Sequence, residues 1–378
     1  MEEINYINEF NLNLISSSDS SSDEEYSGSI RRHKRYLRDA INPFESYDER
    51  NFKLRYRFSK ESTMYGLLPL IEHYLKKPDR RGLPVEPVIQ LLITLRYFAT
   101  NTFQRVSADL VNLQQSTVSY IVFRVTNLLS TYFRKYVKFP TNEREIEENF
   151  QLFKELGFGE GAIGLDNVTG AIDCTHIRLS GTQFREHAEV YRNRKSYYSL
   201  NVQAVVGPRT EFLDIVPEWP GSNHDSRILK NSRVFHRFQQ QEISGILIGD
   251  KGYPALPFLL TPFRNPESNE QERYNMIQSR TRMVVERTFG IWKRRFPCLS
   301  KGLTLKLSTS TSVITACAVL HNLSLIYDNI LPQEETDDDD YDNIVENDDY
   351  MENDENENTD MTGAGFLYRD NVEMNLFN

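Results

Sequence analysis

Three acidic residues in different local settings have the types and spacing to act on a phosphodiester. Asp173 lies within an apolar, strand-like run, and Asp250 ends a second such run just before a Lys-Gly-Tyr-Pro turn. Glu286 lies within a strongly helical stretch further along the chain. Carboxylate oxygens are the ligands that Mg²⁺ or Mn²⁺ prefers, and a pair of such ions can stabilise both the attacking and the leaving oxygen. The pattern predicts a two-metal site for phosphodiester cleavage.

Each acid also has a structural explanation by itself. A carboxylate in a buried strand is costly unless it is paired, so Asp173 could instead form a salt bridge. Asp250 stands in a good turn sequence, and Glu286 lies four residues after Arg282, with which it could pair on a solvated helix face. Asp225, at the start of a predicted helix, is either a helix cap or a fourth metal ligand. The residues alone leave these alternatives open.

Cations that could hold phosphates lie near the acids. Arg282 and Lys293 share a helix face with Glu286, about 100° round from the apolar stripe that anchors the helix. A second basic stretch, interleaved with aromatic residues, contains three further candidates for gripping a phosphate backbone. These are Arg192, Arg194 and Lys195. Two histidines nearby, His176 and His224, rank low as catalysts because two-metal hydrolysis needs no histidine.

The order of predicted elements explains how the acids would meet. Three strand runs are followed by a helix and a fourth strand, and helices then continue to about residue 326. This is the ribonuclease-H-like arrangement, in which the first and fourth strands lie side by side. Asp173 and Asp250 would then be neighbours. The predicted elements are strands at Val168–Leu179, Tyr198–Val206, Phe212–Trp219 and Ile243–Ile248, with the helix at Asp225–Phe238.

The region before this domain has a helical pattern with helix-turn-helix proportions. Phe103–Val125 is predicted to form two short helices, with Leu113–Gln115 as the turn and Ser116 capping the second helix. The start of a recognition helix is where base edges are contacted. A purely structural three-helix bundle is the alternative. The residues at that helix start, and hence the predicted DNA contacts, are Gln115, Ser116, Thr117 and Ser119.

The net charge of −10 hides a basic body between acidic ends. Residues 334–360 contain fifteen Asp or Glu, residues 1–27 contain seven, and neither stretch contains a Lys or Arg. Without these twenty-two acids the remainder carries a charge of +12. A basic body suggests a polyanionic partner, above all DNA, although a solvated surface of mixed charge is the alternative.

The composition divides the chain into four parts. Residues 1–30 and 329–378 are predicted to be disordered acidic tails, residues 31–160 a helical DNA-binding region, and residues 165–328 the catalytic domain. No membrane span or secretory signal is expected, and three scattered cysteines favour a reducing, intracellular setting. Cys317 and His321, four residues apart, could bind a metal together, but a buried helix is the better explanation.

Several separate motifs occur along the chain in one order. They are Ala171–Ile177, Arg192–Gln203, Trp219–Arg227, Gly249–Pro254, Arg282–Arg295 and Leu320–Asn322. Together they resemble the PIF/Harbinger transposases and the harbinger transposase-derived nucleases of animals, over roughly residues 55–327. One departure is Lys251, since the position after this aspartate, Asp250 here, is often small in the family.

The resemblance implies an α/β, ribonuclease-H-like DDE endonuclease domain after a helix-turn-helix-like region. Its metal-binding acids would be Asp173, Asp250 and Glu286, with Asp225 as a further ligand of Mg²⁺ or Mn²⁺. It also implies DNA cleavage, with or without strand transfer, and a separate Myb-like DNA-binding partner. The expected location is the nucleus, with a cytoplasmic pool. A homo-oligomer is compatible with this function. The rival hypotheses are a domesticated DNA-binding protein without catalysis and a scaffold whose acidic tail binds basic proteins.

Overall fold

The computed structural model describes residues 42–77, 84–101, 113–158, 164–180, 188–327 and 362–377. Contacts divide the chain into two units, Met1–Leu37 and Arg38–Asn378, and every described residue belongs to the second. The predicted N-terminal tail and the acidic stretch 334–360 lie outside the described residues. The predicted limits of the helical region and of the catalytic domain are not tested by the structure and stay predictions.

The first half of the described chain is helical because its apolar residues recur at helical spacing behind clear start signals. Asp48 accepts a hydrogen bond from the Asn51 N–H at 2.7 Å, and Asn142 accepts one from the Arg144 N–H at 3.0 Å. A π-helical turn at Ser62–Leu67 leads directly into the third helix. The helices are α1 (Pro43–Ser46), α2 (Glu49–Tyr56), α3 (Leu68–Leu75), α4 (Pro87–Thr100), α5 (Gln115–Ser130), α6 (Phe133–Tyr136) and α7 (Glu143–Leu156).

The structure describes only the second helix of the predicted helix-turn-helix, which therefore stays a prediction. Residues 102–112, where the first helix was expected, lie outside the described residues. The second helix is α5, and it begins at Gln115 rather than after Ser116. Gln114 occupies the N-cap position without a side-chain hydrogen bond, so the prediction that Ser116 caps this helix is wrong. Gln115 and Ser116 are exposed at its first turn.

A five-stranded mixed sheet forms the centre of the second half. Its order is β3-β2-β1-β4-β5, with β2 antiparallel to both β1 and β3. β1 runs parallel to β4, and β4 runs parallel to β5. The expected side-by-side placement of the first and fourth strands is confirmed. The strands are β1 (Val168–Arg178), β2 (Ser199–Val206), β3 (Phe212–Pro220), β4 (Ile246–Ile248) and β5 (Leu259–Leu260).

Two details of this half differ from the sequence prediction. The helix expected from Asp225 to Phe238 is two helices, α8 (Asp225–Lys230) and α9 (Arg233–Gln239), because Ser232 accepts a hydrogen bond from the Phe235 N–H and starts the second one. The strand expected from Ile243 begins only at Ile246, since Gly245 before it has a φ of +90°, outside the extended region.

Helices cover both faces of the sheet. α8 and α9 cover one face, with Phe235 and Phe238 packed against Ile172 and Val205. The other face belongs to a larger core that also includes residues of α2, α4 and α5, so the helical region and the sheet share one hydrophobic interior. The remaining helices are α10 (Asn269–Arg295), α11 (Cys298–Lys301), α12 (Leu307–Tyr327) and α13 (Thr362–Phe377).

α12 is the central helix of that core. Its length and composition alone would allow it to cross a membrane, which the sequence prediction did not anticipate, but 72% of its most apolar window is buried inside the protein. His321 bonds to the Thr210 carbonyl at 2.8 Å, and Asn322 bonds both backbone groups of Phe212 at 2.8 Å. Cys317 and His321 are fully buried, as expected for a core helix.

α13 corrects the prediction of a disordered tail from residue 329 to the end. Thr362–Phe377 form a helix that packs beside α10 and β5. Arg369 lies 3.8 Å over the ring of Phe263, and Gly365 is buried against the Ala255 backbone. This segment contains only two acids, against fifteen in the acidic stretch before it, and its Tyr368 and Val372 are partly buried against the core.

Candidate active site

Asp173 lies in the middle of the sheet with little access to solvent. It belongs to β1 and its side chain is 12% exposed. One carboxylate oxygen, Oδ1, accepts a hydrogen bond from the Cys174 N–H at 2.7 Å. The other, Oδ2, lies 3.2 Å from Nη1 of Arg282 on α10. The salt-bridge alternative for this acid is therefore present in the structure.

Asp250 lies two residues beyond the end of β4, the strand beside β1. Its Oδ1 accepts a hydrogen bond from the Gly252 N–H at 2.9 Å. The expected turn is thus formed, and Gln278 ties it to α10 by donating to the Gly249 carbonyl at 2.6 Å. Within the part of the chain that the structure describes, the buried Oδ2 of Asp250 has no hydrogen-bond partner. An acceptor of this kind is costly unless it gains a ligand.

Asp225 reaches the same region from the opposite layer. It is the first residue of α8 and its Oδ1 accepts a hydrogen bond from Asn201 Nδ2 at 3.0 Å, so it does not act as the cap, a position that His224 occupies. The Cys174 thiol also bonds to Asp225 and lies 3.3 Å from the Tyr253 hydroxyl. Burial raises the pKa of both the Cys174 thiol and the Tyr253 hydroxyl well above their usual ranges, so both groups keep their protons.

The three aspartates influence one another electrostatically. Burial raises the pKa of Asp173 well above its usual range, the charge of Asp250 raises it further, and Arg282 opposes the shift. Burial likewise raises the pKa of Asp225, the hydrogen bond from Asn201 lowers it, and the charge of Asp250 raises it again. Carboxylates that share a buried region and repel one another are stabilised by a bound cation.

Glu286 is linked to Asp173 through Arg282, which forms an ion pair with each of them. Its side chain is 51% exposed on α10, and Oε1 lies 2.7 Å from Nη2 of Arg282. Since Nη1 of the same guanidinium contacts Asp173, Arg282 lies between the strand acid and the helix acid. The helix pair expected as the structural alternative for Glu286 is thus also formed.

The donor set fits a hard divalent cation in its chemistry, but the carboxylates are not gathered into a finished site. All four candidate ligands are oxygen donors, and Asp250 has an oxygen without a hydrogen-bond partner among the described residues. Across the described ranges, however, no group of three or more His, Cys, Asp or Glu side chains is arranged to hold a metal ion. The guanidinium of Arg282 bridges two of the acids instead.

The predicted phosphate-contacting residues lie at the far ends of β1 and β2. Arg192 pairs with Glu189 at 2.8 Å and lies over the Tyr198 ring, while Arg194 bonds to His224 at 2.5 Å. Lys195 is exposed beside them, and Lys293 donates to the His176 carbonyl at 3.1 Å. Arg282 is the member of the predicted set that contacts the acids themselves.

Three residues of this region were not predicted from the sequence. Arg178, exposed at the end of β1, lies 4.6 Å over the Tyr197 ring. Asn201 donates to Asp225, and the Tyr253 hydroxyl contacts the Cys174 thiol. Arg178 lies two residues after His176 and therefore on the same face of β1. This spacing was the sequence signal that could have identified Arg178. The contacts of Asn201 and Tyr253 depend on the packing of separate elements and left no local signal.

Comparison with known proteins defines the class to which this fold and site belong. A family model described as "DDE superfamily endonuclease" matches residues 172–322. The "Putative nuclease HARBI1" of Homo sapiens is 32% identical over 266 residues, covering 69% of this chain and 74% of that protein. The "Protein ALP1-like" of Arabidopsis thaliana is 26% identical over 298 residues, covering 74% of this chain and 71% of its own length. No solved structure matches.

A DDE superfamily endonuclease is the class of protein that these matches define, and it is a class of nucleases. Within that class, the chain belongs to the family of the Harbinger transposases and the nucleases derived from them. The resemblance drawn from the motifs is therefore confirmed. The mixed sheet flanked by helices is consistent with the nuclease domain of this family.

Proposed function

We propose that this protein is a DNA endonuclease that depends on a divalent metal. The pairing of β1 with β4 supports the proposal, because buried Asp173 belongs to β1 and buried Asp250 follows β4, the strand beside it. These two aspartates would hold Mg²⁺ or Mn²⁺, joined by Asp225 and Glu286. The bound ions would supply Lewis-acid polarisation of the phosphate and a water of lowered pKa.

Cations at the ends of β1 and β2 would hold the DNA backbone. Arg178, Arg194 and Lys195 are exposed at the ends of β1 and β2. Such cations contribute affinity through the phosphates rather than base specificity. In the helical region, exposed Gln115 and Ser116, with half-buried Thr117 and Ser119, would contact base edges from the start of α5.

The test of this proposal replaces Asp250, the aspartate whose buried Oδ2 has no hydrogen-bond partner among the described residues. Asp250→Asn keeps the size and the turn acceptor but removes the charge, so we expect Mn²⁺-dependent nicking of supercoiled plasmid to fall by more than about 100-fold. Asp166→Asn is the matched control, because Asp166 is 64% exposed and pairs only peripherally, with Lys154 at 2.7 Å. Cleavage by Asp250→Asn at the wild-type rate would refute the mechanism.

A DNA-binding protein that has kept the fold and lost the chemistry is the second candidate. One observation favours it: Arg282 forms ion pairs with both Asp173 and Glu286, which can hold these acids without any metal. Metal titration separates the candidates, because an active site must bind Mn²⁺ with a response that Asp250→Asn removes. A wild-type protein that binds DNA but neither binds Mn²⁺ nor cuts would establish the second candidate.

The partners and location of the protein extend the same proposal. A separate Myb-like DNA-binding protein would choose the target sequence, and the pair would work in the nucleus, with a cytoplasmic pool. The basic body supports a polyanionic partner. Co-purification of the full chain with Myb-like proteins from nuclear extract tests this part, and failure to retain any of them would contradict it.

A further inference from the structure

One solvent-facing side of α10 carries arginines at every seventh position. They are Arg273, Arg280, Arg287 and Arg294, of which Arg280 is half-buried and the others are exposed. Seven residues make almost two complete turns, so the four lie along one side of a helix about 40 Å long. Successive arginines are about 10.5 Å apart along the axis, close to the rise of three base pairs.

The charge of this helix is strongly one-sided. From residue 273 to residue 295 it contains seven cations and a single acid, Glu286. Between the arginines, Met276 and Met283 are 44% and 56% exposed. No described element covers these methionines, so cationic and apolar groups together face outwards along the longest helix of the described chain.

Gly290 continues the same side, at the position that Met276 and Met283 occupy in the earlier repeats. It is exposed, and a Cβ added there would meet nothing within 4 Å among the described residues. Its φ is not positive, so the backbone conformation does not require glycine either. Glycine within a helix costs stability relative to alanine, and neither packing nor backbone geometry explains this one.

Gly290 lies one helical turn beyond Glu286, the helix acid of the proposed active site. Residues four apart are neighbours on a helix surface. The bare backbone of Gly290 therefore lies beside a half-exposed carboxylate, with Arg287 and Arg294 within one turn on either side. A glycine with open space beside it is what the close approach of another backbone needs.

We infer that this side of α10 is the docking surface for the DNA backbone, and that the strand to be cut approaches the helix at Gly290, next to Glu286. Arg287 and Arg294 contact the flanking phosphates. The identity of the partner as DNA rests on the proposed function. A second copy of the helix fits less well, because arginines repeating every seven residues would face one another across a helix pair and repel.

The glycine supplies a test in which stability and binding change in opposite directions. In the full chain, Gly290→Ala should raise the melting temperature by roughly 2–4 °C, since alanine favours the helix and nothing clashes with it. Gly290→Leu should weaken binding of a fluorescent duplex, measured by anisotropy without divalent metal, by about tenfold. Unchanged affinity in Gly290→Leu would overturn the close approach at this residue.

The arginines are tested through the salt dependence of the same binding. Arg287→Ala with Arg294→Ala should make the slope of log affinity against log salt shallower by about two, because each phosphate contact contributes about one. Arg144→Ala, an exposed arginine on acidic α7, is the matched control and should leave the slope unchanged. Equal slopes for the double variant and this control would overturn the docking surface.

Sedimentation of the Gly290→Leu variant distinguishes the alternative occupant. A change in oligomeric state with normal DNA affinity would assign this side of α10 to a second copy and overturn the inference. Because binding is measured without cleavage, the outcome is separate from the nuclease assay. Loss of binding in these variants of a protein that never cuts would refute the proposed activity and support the docking surface.

Discussion

Arg282 explains how a buried acid of the sheet and a half-exposed acid of α10 lie close together. Asp173 would carry an unpaired charge in the sheet without a cation, since burial already raises its pKa well above the usual range. The guanidinium contacts this acid at 3.2 Å and Glu286 at 2.7 Å. It therefore holds the two carboxylates where a bound metal would otherwise hold them.

Replacing Arg282 should make the protein depend on metal for stability. In EDTA, Arg282→Gln should lower the free energy of unfolding by about 2 kcal/mol, because Asp173 loses a charged hydrogen-bond donor. Adding Mn²⁺ should stabilise this variant more than the wild type, since the ion no longer competes with a guanidinium. Urea denaturation with and without Mn²⁺ measures both effects.

Arg282→Lys is the control for that experiment, because it keeps the charge but cannot contact both acids in the same forked geometry. An intermediate response to Mn²⁺ is expected from it. Identical stabilisation of wild type and Arg282→Gln by the ion would show that Arg282 and the metal do not share a site.

At the scale of single residues, part of the candidate site was predictable from the sequence. The proximity of Asp173 and Asp250 follows from strand order, which apolar patterning reveals. The pairing of Arg282 with Glu286 follows from their spacing on one helix. The contact between Arg282 and Asp173 joins residues 109 positions apart and depends on how α10 is rotated against the sheet, so no local pattern could reveal it.

At the scale of elements, the sheet was predictable where its strands are long and apolar. β1, β2 and β3 agree with the predicted runs to within one or two residues. The two-residue strand β5 carries too little pattern to be predicted, and α13 is held by contacts with distant residues such as Phe263. Tertiary packing therefore decided the elements that the sequence missed.

His321 links α12 to the turn between β2 and β3 by a hydrogen bond, and its contribution to the free energy of unfolding should depend on pH. Its Nε2 donates to the Thr210 carbonyl at 2.8 Å, while the buried Nδ1 has no hydrogen-bond partner within the described residues. Burial, reinforced by the charge of Arg295, lowers the pKa of His321 from 6.5 to about 3. The folded protein thus keeps the ring neutral at pH values where the unfolded chain protonates it.

The sign of the effect follows from which state binds the proton. The contribution of His321 to stability is complete above about pH 6.5 and decreases towards pH 3, by up to about 1.4 kcal/mol per pH unit. His321→Gln keeps a donor for the Thr210 carbonyl and removes the titration. The difference in unfolding free energy between wild type and variant should therefore shrink from about pH 7 to about pH 5 in urea denaturation. Parallel curves would contradict it.

At the scale of the whole molecule, charge is divided between a basic body and acidic stretches. Deleting residues 334–360 would remove fifteen acids and change the net charge from −10 to +5. If this stretch screens the body, the deletion should tighten binding to a DNA duplex by about tenfold at low salt, with a smaller effect at high salt. Fluorescence anisotropy over a salt series measures this change.

A tail of the same length, with its acids replaced by Asn and Gln, is the control for chain length. It should bind DNA as the deletion does, because charge and not bulk causes the screening. If neither variant changes the affinity, the acidic stretch has another role. Loss of a basic protein partner upon deletion would then support the scaffold hypothesis for that segment.

The amide of Asn322 has a consequence that reaches beyond a single molecule. Its Oδ1 accepts from the Phe212 N–H and its Nδ2 donates to the Phe212 carbonyl, both at 2.8 Å, on the open side of the edge strand β3. Unpaired groups at a sheet edge invite strands of other chains to add there. By imitating one residue of a neighbouring strand, Asn322 satisfies both backbone groups of Phe212, so this position of the edge is closed to a strand from another chain.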